Sequence, residues 1–444
     1  MDILALLQCL QPELTATTVR RFSRIAQALL SMTGRVTMLG ISRWAGHGGS
    51  YRTVQRFFSS ALPWAALLWA FFRQHLLCPQ AVYLLAGDEV VITKAGRHTH
   101  GLDRFFASLY GQPVRGLAFF ALSLVSVQER HAFPVRFEQI VRSEAEKAAL
   151  QAKKQRRASG ERRRPGRPKG RKNGAAVQLS SELMRIQALI GAGLKQMTGV
   201  LRLKYLALDG HFGNSKALHM ARQCELHLIS KLRHDAALYL PYDGPQAKQG
   251  ARRKYGPRLD GRQIPDRHLK QTRLDGQVQT CLYQAQLLHK EFAQPLNVVI
   301  LVKTNLHTQA RAQVLLFSSD LDLPYDTLID YYSLRFQIEF NFRDAKQYWG
   351  LEDFMNVTST AVTNAANLSL FMVNLSYRLL RDLRQRDPAC SLLDLKACWR
   401  GHSYVAETIK LLPQKPEPNL LARIFTTVAG LGRIHTAQPA FNPA

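Results

Sequence analysis

Acids are scarce in this chain. Of 444 residues only 32 are Asp or Glu against 60 Lys or Arg, which leaves a net charge of +28 and a pI near 10.2. A simple acidic enzyme is thereby excluded, and the excess of cations asks for a polyanionic partner: nucleic acid first, an anionic membrane surface second. Long apolar runs are missing too. The longest, residues 62–72 and 116–127, fall short of the ~18 residues of a spanning helix and read as buried helix or strand, so no membrane is expected. MDILALLQCLQPELT has neither a basic start before its apolar residues nor a small-residue cleavage site, so it does not read as a secretory signal. The six cysteines (Cys9, Cys78, Cys224, Cys281, Cys390 and Cys398) form no CxxC pair and no zinc spacing with histidine, and are expected to be reduced thiols in a cytoplasmic protein. Internal repeats are absent. What remains is 46% hydrophobic and 21% charged, too apolar for a disordered polymer and sufficient to bury cores for two to four domains.

Residues 1–78 have helical periodicity. Within them 36–46, the turn HGGS and 51–58 resemble the helix, glycine turn and basic helix of a helix-turn-helix DNA reader, although any helical hairpin has such a turn. Arg43, Arg52 and Arg56 have no acid nearby in sequence and are the candidate contacts there. Residues 82–92, 116–127 and 131–141 then read as three consecutive strands. A helix over 180–197 opened by SSEL, a strand over 202–209, a helix near 215–224 and a strand over 226–232 follow. The order βββαβαβ predicts an α/β fold, a mixed sheet flanked by helices. Alternating runs make 241–324 a β-rich insertion, 326–348 is a strong helix, 361–381 a second, and the rest is helical with a Pro- and Gly-containing tail. The expected divisions are 1–78, 79–240 with a basic loop at 146–175, 241–324, 325–384 and 385–444.

Eleven of the twenty residues 153–172 are Lys or Arg, and only Glu161 is acidic. Without apolar periodicity this segment should be disordered when free. Its centre, RRRPGRPKGRK, resembles an AT-hook, with Arg164, Gly166, Arg167 and Pro168 placed to lie in the narrow minor groove of A·T-rich DNA. The bland alternative is a solvated basic loop with general phosphate affinity.

Tyr332, Arg335, Glu339 and Lys346 are spaced Y-x2-R-x3-E-x6-K on the helix expected over 326–348, within an arc of roughly 60°. A carboxylate between two cations and a phenol suits phosphodiester cleavage, the acid holding a metal and the cations holding phosphates. A surface pair between Arg335 and Glu339 is the plain alternative. In a βββαβαβ order the first and fourth strands lie adjacent and parallel, which brings Asp88 and Asp209 at their ends together, with Glu339 approaching from the helix. Converging carboxylates suit two Mg²⁺ ions, with Mn²⁺ as a substitute, about 3.5–4 Å apart. Glu89 competes with Asp88 but alternates to the opposite face. Asp209 could merely open the DGHFGN turn, and Asp344 points about 140° away from Glu339. Since Mg²⁺ prefers oxygen, His98, His100 and His211 read as phosphate contacts or surface residues.

The spacing resembles the signature of the YREK subgroup of DDE transposases of bacterial insertion sequences, and the resemblance covers most of the chain. It implies an RNase H-like core with an aspartate ending the first strand, Asp88 in YLLAGDEVVITK, and one ending the fourth, Asp209 in YLALDGHFGN. It also implies a β-rich insertion before the glutamate helix, a helical end-binding region and a helical C-terminus. Activity by that resemblance is binding of terminal inverted repeats in double-stranded DNA, metal-dependent cleavage and joining of the 3′ ends to target DNA, by a dimer on paired ends. Relatives that excise through a hairpin stack a flipped base on an aromatic ring, commonly a tryptophan of the insertion. Here none of Trp44, Trp64, Trp69, Trp349 and Trp399 lies in 241–324, leaving Tyr255, Tyr283 and Phe292 as candidates. Rivals are an RNase H-like nuclease that does not join ends, and a DNA-binding regulator with a decayed core.

Overall fold

The computed structural model describes residues 2–160, 177–246, 248–261 and 263–435. The hook-like stretch with Arg164, Gly166, Arg167 and Pro168 lies outside the described residues. Five helices open the chain: α1 Ile3–Leu7, α2 Ala16–Ser31, α3 Met38–Trp44, α4 Tyr51–Ser59 and α5 Trp64–His75. Thr15, Thr37 and Ser50 each accept a backbone N–H from the first turn of α2, α3 and α4, which fixes where those helices begin. Between α3 and α4 the chain turns through Gly46 and Gly48, both at positive φ, where a side chain would be strained.

The core follows as β1 Tyr83–Thr93, β2 Asp103–Ala107, β3 Gln112–Ser126, β4 His131–Ile140, α6 Glu144–Ala158, α7 Ser181–Met197, β5 Tyr205–Ala207, α8 Ser215–Gln223 and β6 His227–Leu232. Three consecutive strands were expected at the start, and the structure interposes a further one. β2 forms a hairpin with an extension of β3, and its five residues DRFFA, two of them outward and two charged, carry too short an alternation to read as a strand. The fourth core strand is also shorter than the expected 202–209, because only Tyr205–Ala207 are paired. The core strands lie in the order β4-β3-β1-β5-β6, with β1 antiparallel to β3 and parallel to β5, which is parallel to β6. Adjacent, parallel first and fourth core strands are what the βββαβαβ order requires.

Strands β7 Leu238–Pro241, β8 Tyr255–Arg258, β9 Leu269–Asp275, β10 Val278–His289, β11 Leu296–Asn305 and β12 Arg311–Ser318 supply the β-rich stretch. They are not walled off from the core. β12 pairs antiparallel with β6, from Leu315 opposite Leu232 to Ser318 opposite Ile229, so one twelve-stranded sheet runs through both.

The helix expected over 326–348 is two helices, α9 Tyr325–Leu334 and α10 Gln337–Tyr348. Between them the N–H groups of Arg335, Phe336, Ile338 and Glu339 each bond to the carbonyl three residues back, at 3.0–3.3 Å, a tightened 3₁₀ turn. The remaining helices are α11 Ser359–Arg384, α12 Leu392–Lys410 and α13 Pro418–Gly430. α11 is buried nearly all round and joins the parts. Phe371 packs on Phe22 with ring centroids 4.7 Å apart, Asn374 Nδ2 donates to Pro134 O of β4 at 2.9 Å, and Asn364 Nδ2 donates to Phe58 O and Ser60 O at 2.7 Å each. No helix among the described residues is long and apolar enough to cross a membrane.

Candidate active site

Asp88 sits on β1 where the strand's burial ends, opposite Ala121 of β3. One of its carboxylate oxygens accepts the N–H of Glu89 at 2.9 Å and the other accepts Arg335 Nη1 at 3.1 Å. Burial pushes its carboxyl up to about 6; Arg335 opposes that shift, while Asp209 and Glu339 add to it. Asp209 follows β5 on the neighbouring parallel strand, where its side chain accepts the N–H of His211 at 3.1 Å and its carbonyl accepts Ser230 Oγ at 2.7 Å. The turn it opens needs Gly213, because a Cβ there would stand 2.0 Å from the carbonyl oxygen of Lys231 on β6. Asn214 then caps α8 through the Ala217 N–H. The motif DGHFGN is thus a strand exit that holds Asp209 beside Asp88.

Glu339 reaches the same place from α10. Ile338, Asn341, Phe342 and Ala345 form the buried stripe of that helix, at i, i+3, i+4 and i+7. Asn341 Nδ2 locks it to the sheet by donating to Ala132 O of β4 at 2.9 Å. On the flank of the stripe, Arg335 Nη2 donates to Glu339 Oε1 at 3.2 Å while Nη1 holds Asp88. One guanidinium, 13% exposed, therefore bridges carboxylates 251 positions apart in sequence. The bond to Glu339 spans four residues, i to i+4, across the junction of α9 and α10. Burial alone would pull the arginine's pKa down, but Asp88, Tyr332, Glu339 and Asp209 together hold it above its usual value. The Tyr332 ring lies 5.9 Å from the guanidinium, and burial raises its phenol, with Arg335 opposing and Asp209 adding.

Lys346 stands two turns further on. It pairs with Glu352 at 2.9 Å and donates to Val91 O at 3.4 Å, so it faces the far end of β1 rather than the carboxylates. Asp344 is engaged by Arg343 at 3.0 Å. Glu89 lies on the other side of β1 in the field of Glu182, Arg142 and His211, and His211 pairs with Glu182 at 3.4 Å. His98 and His100 lie beyond β1, and none of the three histidines joins Asp88. In the N-terminal helices Arg43, Arg52 and Arg56 are exposed, and among the described residues none has a carboxylate partner. Of the rings considered for base stacking, Phe292 is 4% exposed and packed on Phe317, so it is unavailable. Tyr255 packs edge-on to Tyr239 at 5.4 Å, and Tyr283 lies on β10.

Parallel strands that deliver two aspartates, a helix that delivers a glutamate and an arginine held among them are joined by a result from comparison. The model of the family described as DDE superfamily endonuclease matches residues 9–291. The chain belongs to this family. No curated protein matches it. The core of this DDE endonuclease is RNase H-like, and the matched span contains Asp88 and Asp209 but ends before α9 and α10. Nuclease activity of the transposase type, with DNA as substrate, is what membership carries, and the family generally uses divalent metals.

Carboxylate oxygens are the donors a hard divalent ion takes. Among the described residues no three His, Cys, Asp or Glu side chains stand close enough to hold one, and the positive charge at the centre is Arg335. By chemistry the three carboxylates suit such an ion, while their present arrangement does not group them around one. The spacing is set at present by the guanidinium. Sequence reasoning missed this bridge, since it placed Arg335 and Glu339 on one stripe but had no signal for the bond to Asp88.

Proposed function

We propose that this DDE endonuclease is a transposase that binds the terminal inverted repeats of its element, cleaves their ends with Mg²⁺ and joins the 3′ ends to target DNA, as a homodimer on paired ends. The observation that carries the reading is the Arg335 bridge, which puts Asp88 and Glu339 on one cation with Asp209 in the same field. Asp88, Asp209 and Glu339 would hold the metal; Mg²⁺, or Mn²⁺ in its place, supplies activation of the attacking oxygen and stabilisation of the leaving one. Arg335 has a second task. Its Nε is buried with no partner in the described structure, a donor left over for a phosphate oxygen, and its release from the carboxylates turns a charge-balancing group into a phosphate clamp. Tyr332 sets the wall beside that clamp. Lys346 holds phosphate one step along, toward the end of β1. Arg43, Arg52 and Arg56 on the outer faces of α3 and α4 serve end recognition, with the hook-like segment adding minor-groove affinity.

A nuclease without strand transfer shares every one of these residues. Joined products therefore decide: end-labelled duplex carrying the element's terminal repeat, incubated with supercoiled plasmid and Mg²⁺, should yield label covalently attached to the plasmid. Cut ends with no attached label would contradict transposition and leave cleavage.

A further inference from the structure

Beyond the end of β1 cations outnumber acids: Lys147 pairs with Glu144 at 2.7 Å and Arg142 with an aspartate, and the other arginines there have no carboxylate partner among the described residues. Arg97, Arg104, Arg115, Arg142 and Lys147 line one depression of about 570 Å³, with Asp103 the lone acid on its wall. Asp103 is already committed to Arg142 at 3.0 Å. Arg104 and Arg115 are direct cross-strand partners in the β2–β3 hairpin. Arg104 Nη2 donates to Pro113 O across the hairpin at 2.9 Å, but like charges placed opposite one another destabilise a strand pair, so that bond gives no reason for a second arginine at Arg115. Among the described residues neither Arg97 nor Arg115 has a carboxylate partner. The outward face of the hairpin continues with Phe106 opposite Pro113 and ends in a tip where Phe106, Leu109 and Tyr110 are 62%, 84% and 54% exposed. An apolar tip on cationic flanks is poorly suited to water and well suited to a duplex, whose phosphates take the arginines and whose base steps admit apolar wedges.

We infer that the β2–β3 hairpin is a second DNA-gripping element: the depression at its base takes backbone phosphates of duplex DNA and its tip enters the groove. The inference rests on the DNA-cutting reading for the identity of the ligand. Five residues of extended strand separate Asp88 from Thr93 at the depression's edge, ~17 Å at about 3.3 Å per residue, so the gripped phosphates belong to DNA flanking the cut rather than to the cut itself. Lys147 reaches the rim from the first turns of α6, whose later residues Lys153, Lys154 and Arg156 extend the basic surface toward the start of the arginine-rich segment.

The test uses the full chain in EDTA and a labelled 40-base-pair duplex of arbitrary sequence, titrated across a range of salt. Arg97→Gln/Arg104→Gln/Arg115→Gln should weaken binding at least about tenfold at ~0.1 M salt and flatten the slope of log K against log salt by about two to three, at ~0.9 per phosphate. Without DNA, Arg115→Gln should melt at or above the wild-type temperature, because it removes the repulsion and leaves the bond from Arg104 to Pro113 O in place. Arg97→Gln alone, in no strand, should flatten the slope by about one, which guards against a hairpin that misfolds. Leu109→Ser/Tyr110→Ser should lower affinity several-fold with the slope unchanged. An unaltered slope in both arginine variants, or unaltered affinity in the tip variant, overturns the inference. Wild-type cleavage in Mg²⁺, measured in parallel, separates the two readings: its absence with a changed slope strikes the proposed function, its presence with an unchanged slope strikes the hairpin.

Discussion

Arg335 and Asp88 set the charge balance of the site, and their coupling has a consequence in pH. Asp88 is raised to about 6 in the folded chain from an ordinary 3.8, chiefly by burial, so folding favours its protonated form. Its contribution to stability is therefore complete below about pH 4 and is lost as pH rises through about 6. Asp88→Asn should stabilise the metal-free protein at pH 8 by about 1–3 kcal/mol, less whatever Arg335 loses with one carboxylate, and the advantage should vanish by about pH 4. Urea melts in EDTA at the two pH values check this; a variant less stable than wild type at pH 8 would contradict it. At this scale the sequence was partly legible. The spacing of Tyr332, Arg335 and Glu339 showed one stripe, because helical period is local. The bond from Arg335 to Asp88 was invisible, because it depends on how a helix docks on a strand far away in the chain.

Elements bring these residues into one electrostatic field, and the placement of α10 depends on one buried amide. Asn341, 1% exposed, bonds Ala132 O of β4 from the same helical face that carries Ile338 and Phe342. Asn341→Leu should leave that carbonyl unpaired in the core, cost about 1–3 kcal/mol, and slow cleavage by moving Glu339. Thermal melts and single-turnover cleavage read the two effects; cleavage unaltered in a destabilised variant would show that α10 need not be held so closely. Strong apolar runs at 116–127 and 131–141 announced β3 and β4, and SSEL announced α7, since burial and capping leave local marks. β2 left none, because a five-residue hairpin arm with two outward residues is held by its partner strand rather than by its own pattern. The break between α9 and α10 was equally silent. Nothing in the helical period marked the i+3 bonds of Arg335, Phe336, Ile338 and Glu339.

Across the whole molecule α11 ties the N-terminal helices to the sheet, and Asn364 is the knot. Its Nδ2 bonds two carbonyls at the end of α4, Phe58 O and Ser60 O, and its Oδ1 accepts Trp64 Nε1 at 2.7 Å. Asn364→Leu strands all three groups in the core and should cost about 3–5 kcal/mol, lowering the melting temperature and, by loosening the carrier of Arg52 and Arg56, weakening end binding. Charge acts at the same scale: removing residues 153–172 should flatten the salt dependence of binding to every sequence, at ~0.9 per phosphate lost, and Arg167→Ala should abolish any preference for A·T-rich flanks. A slope unmoved by the deletion would mean the segment does not touch DNA. The α/β order was legible over this span because strands alternate with helices in a fixed grammar. The continuity of the sheet through β12 and β6 was not, since strand pairing leaves no local trace. The central claim is that Asp88, Asp209 and Glu339, brought by β1, β5 and α10, form one metal-dependent cleavage site. Its most direct test is cleavage of an end-labelled terminal-repeat duplex in Mg²⁺ by Asp88→Asn, Asp209→Asn and Glu339→Gln, with gel shifts on the same preparations. Each variant should cleave at least about a thousandfold more slowly while binding within a few-fold of wild type; a variant that keeps wild-type cleavage would remove that carboxylate from the site and contradict the account.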